Sequence, residues 1–405
     1  MAVGLSTLPR LFPVPGIRLA TTSAGIRKRN RKDLVIIECA TNTRVAGVFT
    51  NNKLRAAPVV LAHRHLAGHS PRACIINTGF ANAATGQKGL EDALACCQAL
   101  AEQMHCQTEE ILPFSTGVIG ERLPVDRIIN AIPDCLAKLD ADGWKDAAHG
   151  IMTTDTVAKA FSVKTSINGK GLTITGIVKG SGMIRPDMAT MLAFVATDAK
   201  LSAEVITSAL QEVTRTSFNR ITVDGDTSTN DACLLFATGQ GELVIENDSE
   251  DSYQLFVKEL GKVFLDLAQA IIRDAEGITK FITIRVTNGL SESDCLEVAY
   301  TVAHSPLVKT AFFASDPNWG RILAAVGRAP VKDIDIDSVS VYLDDVCIAR
   351  SGAVADDYSE AAGKNVMSRD EITIRIDLGT GQSQATVWTS DLSHDYVTIN
   401  AEYRT

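Results

Sequence analysis

The sequence predicts a mixed α/β protein built on more than one sheet. Strand-like runs and helix-like periodicities interleave along 405 residues, and no internal repeat is evident. Asp33 to Glu38, Val45 to Thr50 and Ala73 to Asn77 read as strands, being rich in apolar and β-branched residues. Leu90, Leu94, Cys97, Ala101 and Met104 then recur at helical spacing. The short apolar run Ile111 to Phe114 leads into a loop holding Thr116 and Gly117, and Leu172 to Val178 alternates as a strand does. Met191 to Val195 is uninterrupted and apolar, the pattern of a buried strand. Ser202 with Glu204 just inside marks a helix start, continued by Val205, Leu210 and Val213. Leu255, Leu260, Phe264, Leu267 and Ile271 define a further long helix. In the tail, Ile372, Ile374 and Ile376 alternate, the chain turns around Gly379-Thr380-Gly381, and the pattern resumes at Ala385 and Val387, which predicts a hairpin.

Composition narrows the function classes. Hydrophobic residues make up 45%, enough for a large core, and the length suggests two or three domains at ~150 residues each. A net charge of −9 argues against a nucleic-acid binder, so an anionic substrate would need local cations rather than a global field. Apolar runs fall far short of the ~18 residues a membrane span requires, and no hydrophobic signal core opens the chain. Met1 to Arg31 is basic and acid-free, with a faint transit-peptide flavour. Arg27 to Lys32 reads instead as a solvated loop, and the expected location is the cytoplasm.

Nine scattered cysteines without a Cys-x-x-Cys pair predict reduced core thiols rather than disulfides or metal ligands. His63, His65 and His69 have some metal-ligand spacing, but no nearby Cys or carboxylate completes a set; a surface helix or loop is expected. Asp224-x-Asp226-x-Ser228-x-Asn230 opens like a calcium loop, yet Thr229 stands where that loop needs Gly and Leu235 where it needs Glu. Gly180 and Gly182 lack the third glycine of a dinucleotide fingerprint and precede a strand.

The most informative segment is Lys179-Gly180-Ser181-Gly182-Met183-Ile184-Arg185-Pro186-Asp187-Met188-Ala189-Thr190-Met191-Leu192. A glycine-punctuated, proline-stiffened loop delivers a small residue and then Thr190 to the head of an apolar strand. Scission of the Ala189–Thr190 bond by the Thr190 hydroxyl would free an α-amine beside that hydroxyl, giving a nucleophile with its own base. Such an amine titrates near ~7.7–8.0, and desolvation or the ammonium of Lys179 would lower it. The same residues also fit an ordinary turn before an ordinary strand, and Thr116 and Gly117 equally fit a helix N-cap turn.

The stretch Lys179 to Leu192 resembles the self-processing site of the ornithine acetyltransferase family, also called glutamate N-acetyltransferases. Further motifs of that family follow in order: Asn77-Thr78-Gly79-Phe80-Ala81-Asn82-Ala83, Ser115-Thr116-Gly117-Val118-Ile119-Gly120, and Met152-Thr153-Thr154-Asp155-Thr156. Beyond Thr190 come Asn219 to Asp231, Arg273 to Lys280, Ser315 to Arg321 and the terminal Ile399 to Thr405, so the likeness runs from about Pro15 to the last residue. The resemblance implies layers of helix, sheet, sheet and helix, with a smaller C-terminal α/β region at about residues 285–395. It implies cleavage into residues 1–189 and 190–405, which stay associated as a heterotetramer of two of each.

The activity it implies is transfer of an acetyl group from N-acetylornithine to glutamate through acetyl-Thr190, with Thr116 and Gly117 as the oxyanion hole. Thr156, Lys179, Thr190, Glu276, Asn400 and Thr405 are the implied substrate contacts, and Arg220, Asp224, Asp226 and Asp231 a hydrogen-bonding network nearby. Trp319 and Arg321 read as core and loop-anchoring residues. No metal or organic cofactor is expected, and whether acetyl-CoA also serves as donor stays open. The alternatives are a Thr-dependent amidohydrolase or aminopeptidase on a related self-cleaving scaffold, and a binding protein in which the Gly-Ser-Gly turn is only a turn.

Overall fold

The computed structural model describes residues 2–5, 7–27, 31–185, 191–332 and 334–402. It divides into two compact units, the first formed by Thr7–Asn219 with Thr227–Ile271, the second by Arg220–Asp226 and the chain from Ile272 onward.

The strands of the first unit are β1 (Ile17–Thr22), β2 (Leu34–Cys39), β3 (Arg44–Phe49), β4 (Ala73–Phe80), β5 (Ile111–Val118), β6 (Lys159–Ile167), β7 (Lys170–Lys179), β8 (Leu192–Thr197), β9 (Lys200–Leu201), β10 (Ala232–Ala237) and β11 (Val244–Ile245). Its helices are α1 (Ala57–Gly68), α2 (Gly86–Met104), α3 (Val125–Leu136), α4 (Trp144–Gly150), α5 (Ala203–Thr216) and most of α6 (Asp251–Arg273). Four strands make one sheet in the order β1-β2-β4-β5, and five make another in the order β3-β10-β8-β7-β6; β9 and β11 form a short ribbon.

Alternation along the strands builds the layers, because successive side chains point to opposite faces. On the first sheet Val35, Ile37, Cys74, Ile76, Leu112 and Phe114 meet Ile177, Leu192, Phe194, Leu234 and Phe236 of the second. Their neighbours Leu34, Ile36, Ala73, Ile75 and Ile111 face Ala93, Cys97 and Leu100 of α2 and Ile128 and Ile132 of α3. Beyond the second sheet, α5 packs against β3 and β10. There α6 comes so close to β7 that a Cβ on Gly176 would lie 2.9 Å from Leu267 Cδ1. A strand covered on both faces should be nearly all apolar, as β8 is: all six of its residues are buried and only Thr197, the last, is polar. The predicted helix start holds too, since the Ser202 hydroxyl accepts from the Val205 N–H.

The second unit holds a six-stranded sheet in the order β15-β14-β13-β16-β12-β17, with β12 (Phe281–Gly289), β13 (Ser340–Leu343), β14 (Val346–Arg350), β15 (Ala353–Val354), β16 (Glu371–Asp377) and β17 (Ser383–Ser390). Its helices are α7 (Glu292–Ala303), α8 (Pro306–Phe313), α9 (Trp319–Gly327), α10 (Glu360–Met367) and α11 (His394–Ala401). Ile372, Ile374 and Ile376 alternate into the core as expected, packed with Val298 and Val302 of α7 and Ile322 and Val326 of α9. The expected hairpin is not formed. β12 lies between β16 and β17, parallel to the first and antiparallel to the second. The Gly379-Thr380-Gly381 turn instead crosses the end of β12, where Asn288 O accepts from the N–H groups of Thr380 and Gly381.

Seven of the nine cysteines are buried and all are free thiols. Burial pushes the Cys39 thiol up to about 12, so it is an inert core group. No described helix is long and apolar enough to cross a membrane.

Phe194, 1% exposed, stacks edge-on against Phe114 with ring centroids 5.3 Å apart, joining the two sheets. Replacing Phe194 with Ala should lower unfolding free energy by about 3–5 kcal/mol, read from the denaturation midpoint.

Candidate active site

At one end of the first unit the polar ends of several apolar strands come together. β5 supplies Thr116 and Gly117, β7 supplies Lys179, and β8 and β10 begin there side by side with Leu192 level with Ala232. Thr116 and Gly117 were expected on a loop, but β5 continues through them to Val118. The reason is β4, which extends to Phe80 and pairs in parallel with Thr78 opposite Thr116 and Gly79 opposite Gly117. The two glycines let the strands approach: Gly117 has φ +132, and a Cβ there would lie 2.3 Å from the Gly79 carbonyl carbon.

Lys179 is half-buried, not solvated. Its Nζ donates to Thr153 Oγ1 at 2.7 Å and to Thr116 Oγ1 at 3.2 Å. Thr153 and Asp155 belong to a segment between α4 and β6 that sequence reasoning quoted as a motif without giving either residue a role. Asp155 is fully buried and accepts from Lys159 Nζ at 2.7 Å, Thr153 N–H at 2.8 Å and Gly180 N–H at 2.8 Å. Burial alone would raise its pKa; the charges of Lys159 and Lys179 and these hydrogen bonds outweigh that and hold it well below the usual carboxylate range. Thr156, one residue on, is exposed.

A second buried polar group lies beside this one. Ser115 Oγ donates to Asn77 Oδ1 at 2.5 Å, and Asn230 Nδ2 donates to Ala81 O at 2.6 Å and Ser115 O at 2.8 Å. Asp231 is 3% exposed, and its Oδ2 has no hydrogen-bond partner among the described residues. Burial pushes its pKa well above the ordinary value, against the opposing pull of Ser228 hydrogen bonds and the Lys179 charge.

Glu276, Asn400, Arg220, Asp224 and Asp226 belong to the second unit. Glu276 is buried just past α6 and accepts from Asn400 Nδ2 at 2.8 Å. The C-terminal helix α11 is held by its Ser393 cap, whose hydroxyl donates to Gly277 O at 2.6 Å, and by Tyr396, whose hydroxyl donates to Asp224 at 3.2 Å. Arg220 pairs with Glu292 at 2.5 Å. Trp319 opens α9 and packs on the core as expected, whereas Arg321, read as a loop anchor, donates to Leu307 O of α8 and so ties two helices. Ala189, Thr190 and Thr405 lie outside the described residues.

The histidine spacing resolves into a helix rather than a ligand set. His65, in α1, is buried with Nδ1 2.8 Å from Ile111 O. Among the described residues no group of His, Cys, Asp or Glu is arranged to hold a metal ion.

Asp155→Asn would remove the carboxylate that pairs with the buried Lys159 ammonium, with an expected loss of about 3–5 kcal/mol in denaturant unfolding at neutral pH. Because the folded pKa of Asp155 is depressed, its stabilisation is present above the unfolded value of ~3.9 and is lost as pH falls toward the folded one. The stability gap between wild type and variant should therefore hold steady down to about pH 5 and narrow only below about pH 4.

Residues 18–405 match the ArgJ family. The chain is 54% identical over 408 residues to the arginine biosynthesis bifunctional protein ArgJ of Pseudomonas fluorescens. It is 53% identical over 406 residues to that of Psychrobacter arcticus and 52% over 406 to that of Pseudomonas syringae pv. tomato. In each case 100% of both chains is covered. The chain belongs to the ArgJ family.

Proposed function

We propose that this enzyme of arginine biosynthesis moves an acetyl group from N-acetylornithine to glutamate, with Thr190 as the covalent carrier. The observation that carries the reading is the Lys179 ammonium held between the hydroxyls of Thr116 and Thr153 at the end of β7, within a chain whose relatives are ArgJ proteins over their full length. In the first half-reaction Thr190 Oγ attacks the acetyl carbonyl and gives its proton to the Thr190 α-amine. The Thr116 hydroxyl and the Gly117 N–H carry the oxyanion, the Thr190 α-ammonium passes that proton to the departing nitrogen as the amide C–N bond breaks, and ornithine leaves with a neutral α-amine. In the second, the amine of glutamate attacks the acetyl-Thr ester and N-acetylglutamate departs. Lys179 meets a substrate carboxylate and favours the neutral form of the α-amine. Glu276, oriented by Asn400, supplies the anion for the side-chain ammonium of ornithine; Thr156 and Thr405 complete the substrate contacts. The relatives are named bifunctional, which supports acetyl-CoA as a second donor through the same ester. No step calls on a metal or organic cofactor. The two fragments, residues 1–189 and 190–405, assemble as a heterotetramer of two of each in the cytoplasm.

A denaturing gel of active protein should show two fragments, residues 1–189 and 190–405. Thr190→Ala should give one uncut, inactive chain near 43.3 kDa. Mass spectrometry showing Ala189 still joined to Thr190 in active material would overturn the proposal. Release of acetate without dependence on glutamate would favour the amidohydrolase alternative.

Glu276→Gln should raise KM for N-acetylornithine about 10- to 100-fold, the equivalent of the ~1.5–3 kcal/mol of a hydrogen bond to a charged group. KM for glutamate, measured with acetyl-CoA as donor, should stay near wild type.

A further inference from the structure

Asn230 takes no part in the steps above, yet it is 6% exposed and has both ends of its amide engaged. Nδ2 donates to Ala81 O at 2.6 Å and to Ser115 O at 2.8 Å, while Oδ1 accepts from Thr229 Oγ1 at 2.6 Å. Ala81 directly follows β4 and Ser115 lies in β5. A side chain rooted just before β10, on the second sheet, therefore crosses to the first sheet beside Thr116 and Gly117. The Ser115 carbonyl shares a peptide plane with the Thr116 N–H, so holding that oxygen fixes the direction in which β5 presents its next residues. On its own sheet, Asn230 stands two residues before Ala232, whose N–H donates to Met191 O at 2.9 Å and which pairs with Leu192 of β8. One amide thus ties β5, which carries Thr116 and Gly117, to the start of β10, whose neighbour β8 opens just after Thr190.

We propose that Asn230 is a positioning residue that sets the spacing between these two strands, and with it the alignment of the oxyanion donors with the acetyl carrier. This rests on the roles given above to Thr116 and Thr190. Asparagine suits the task because it offers two N–H donors from one planar group without charge. An aspartate would turn oxygens toward the same two carbonyls, and an alanine would leave both without this donor.

The test is steady-state kinetics on cleaved, purified Asn230→Ala and Asn230→Asp. The expected result is a kcat about 30- to 100-fold below wild type, as for a misplacement near 1 Å, with KM for N-acetylornithine within about threefold. A purely structural role predicts a lower melting temperature with wild-type kcat, and that result would overturn the proposal. Adding Thr116→Ala to Asn230→Ala should lower kcat little beyond Thr116→Ala alone, since both act on one alignment; fully multiplicative losses would also count against it. If Asn230→Ala does not accumulate as folded protein, Asn230→Gln keeps the amide on a stem one methylene longer. It should fold with kcat reduced at least about tenfold, and wild-type kcat would again reject the proposal. Full activity in Thr116→Ala would instead reject the oxyanion assignment, so the two failures are distinguishable.

Discussion

Burying the carboxylate of Asp155 is the constraint around which the candidate site is organised. An unpaired carboxylate at zero side-chain exposure would be strongly unfavourable, so each of its hydrogen bonds is also a demand on the chain around it. Lys159 must begin β6 with its ammonium turned inward, Gly180 must leave β7 with its N–H turned back, and the Thr153 N–H must fold over the same group. Those demands place the Thr153 hydroxyl where Lys179 can donate to it, and Lys179 in turn reaches Thr116 on the other sheet. The carboxylate fixes both the end of β7 and the start of the segment that leads toward Thr190.

The two-sheet architecture explains why polar groups can collect here. Between the sheets lies an apolar cluster that includes Phe114, Phe194 and Phe236. Along the strands the ladders pair the backbone N–H and C=O groups, and where the ladders stop, at strand ends, those groups are left to pair with polar side chains. The ends of β4, β5 and β7 and the beginnings of β8 and β10 meet through Asn230, Ser115, Asn77 and Lys179. Gly79 and Gly117 let β4 and β5 run on past their apolar portions, so the polar residues are carried on strands rather than on loops. Strands hold side chains to narrower geometry, which suits groups that must face a developing charge without rearranging.

Much of this was legible in the sequence where local pattern decides the outcome. The apolar run of β8, the Ser202 cap and the alternating isoleucines of β16 each follow from neighbours a few residues away. Long-range choices were not legible. Nothing in the alternation of Ile372 to Val387 says that β12, some ninety residues earlier by number, will insert between the two strands. The extent of β5 depended on its pairing partner and not on its own residues. Asp155 and Lys159 stand four apart, the spacing of a helical surface pair, and reveal themselves as a buried pair only once β6 is seen to start at Lys159. Leu255, counted on the apolar face of α6, is exposed while Phe256 is buried, because that helix presents the adjoining stripe.

The charges at this end also reconcile an acidic chain with acidic substrates. Lys159, Lys179 and its hydrogen bonds hold the pKa of Asp155 low against its burial, while burial pushes that of Asp231 up against its Ser228 hydrogen bonds. Lys159 and Lys179 thus bring two ammonium groups to this end of a protein whose overall charge is −9. Charge at such a partly buried place is screened less than charge at the surface, so it acts at short range on whatever sits beside Thr116. That field favours a substrate carboxylate over bulk water, and it disfavours protonation of any amine brought next to Lys179. Both effects push in the direction an acyl carrier with an amine base requires, and both begin from Lys179, whose ammonium donates to the hydroxyls of Thr116 and Thr153.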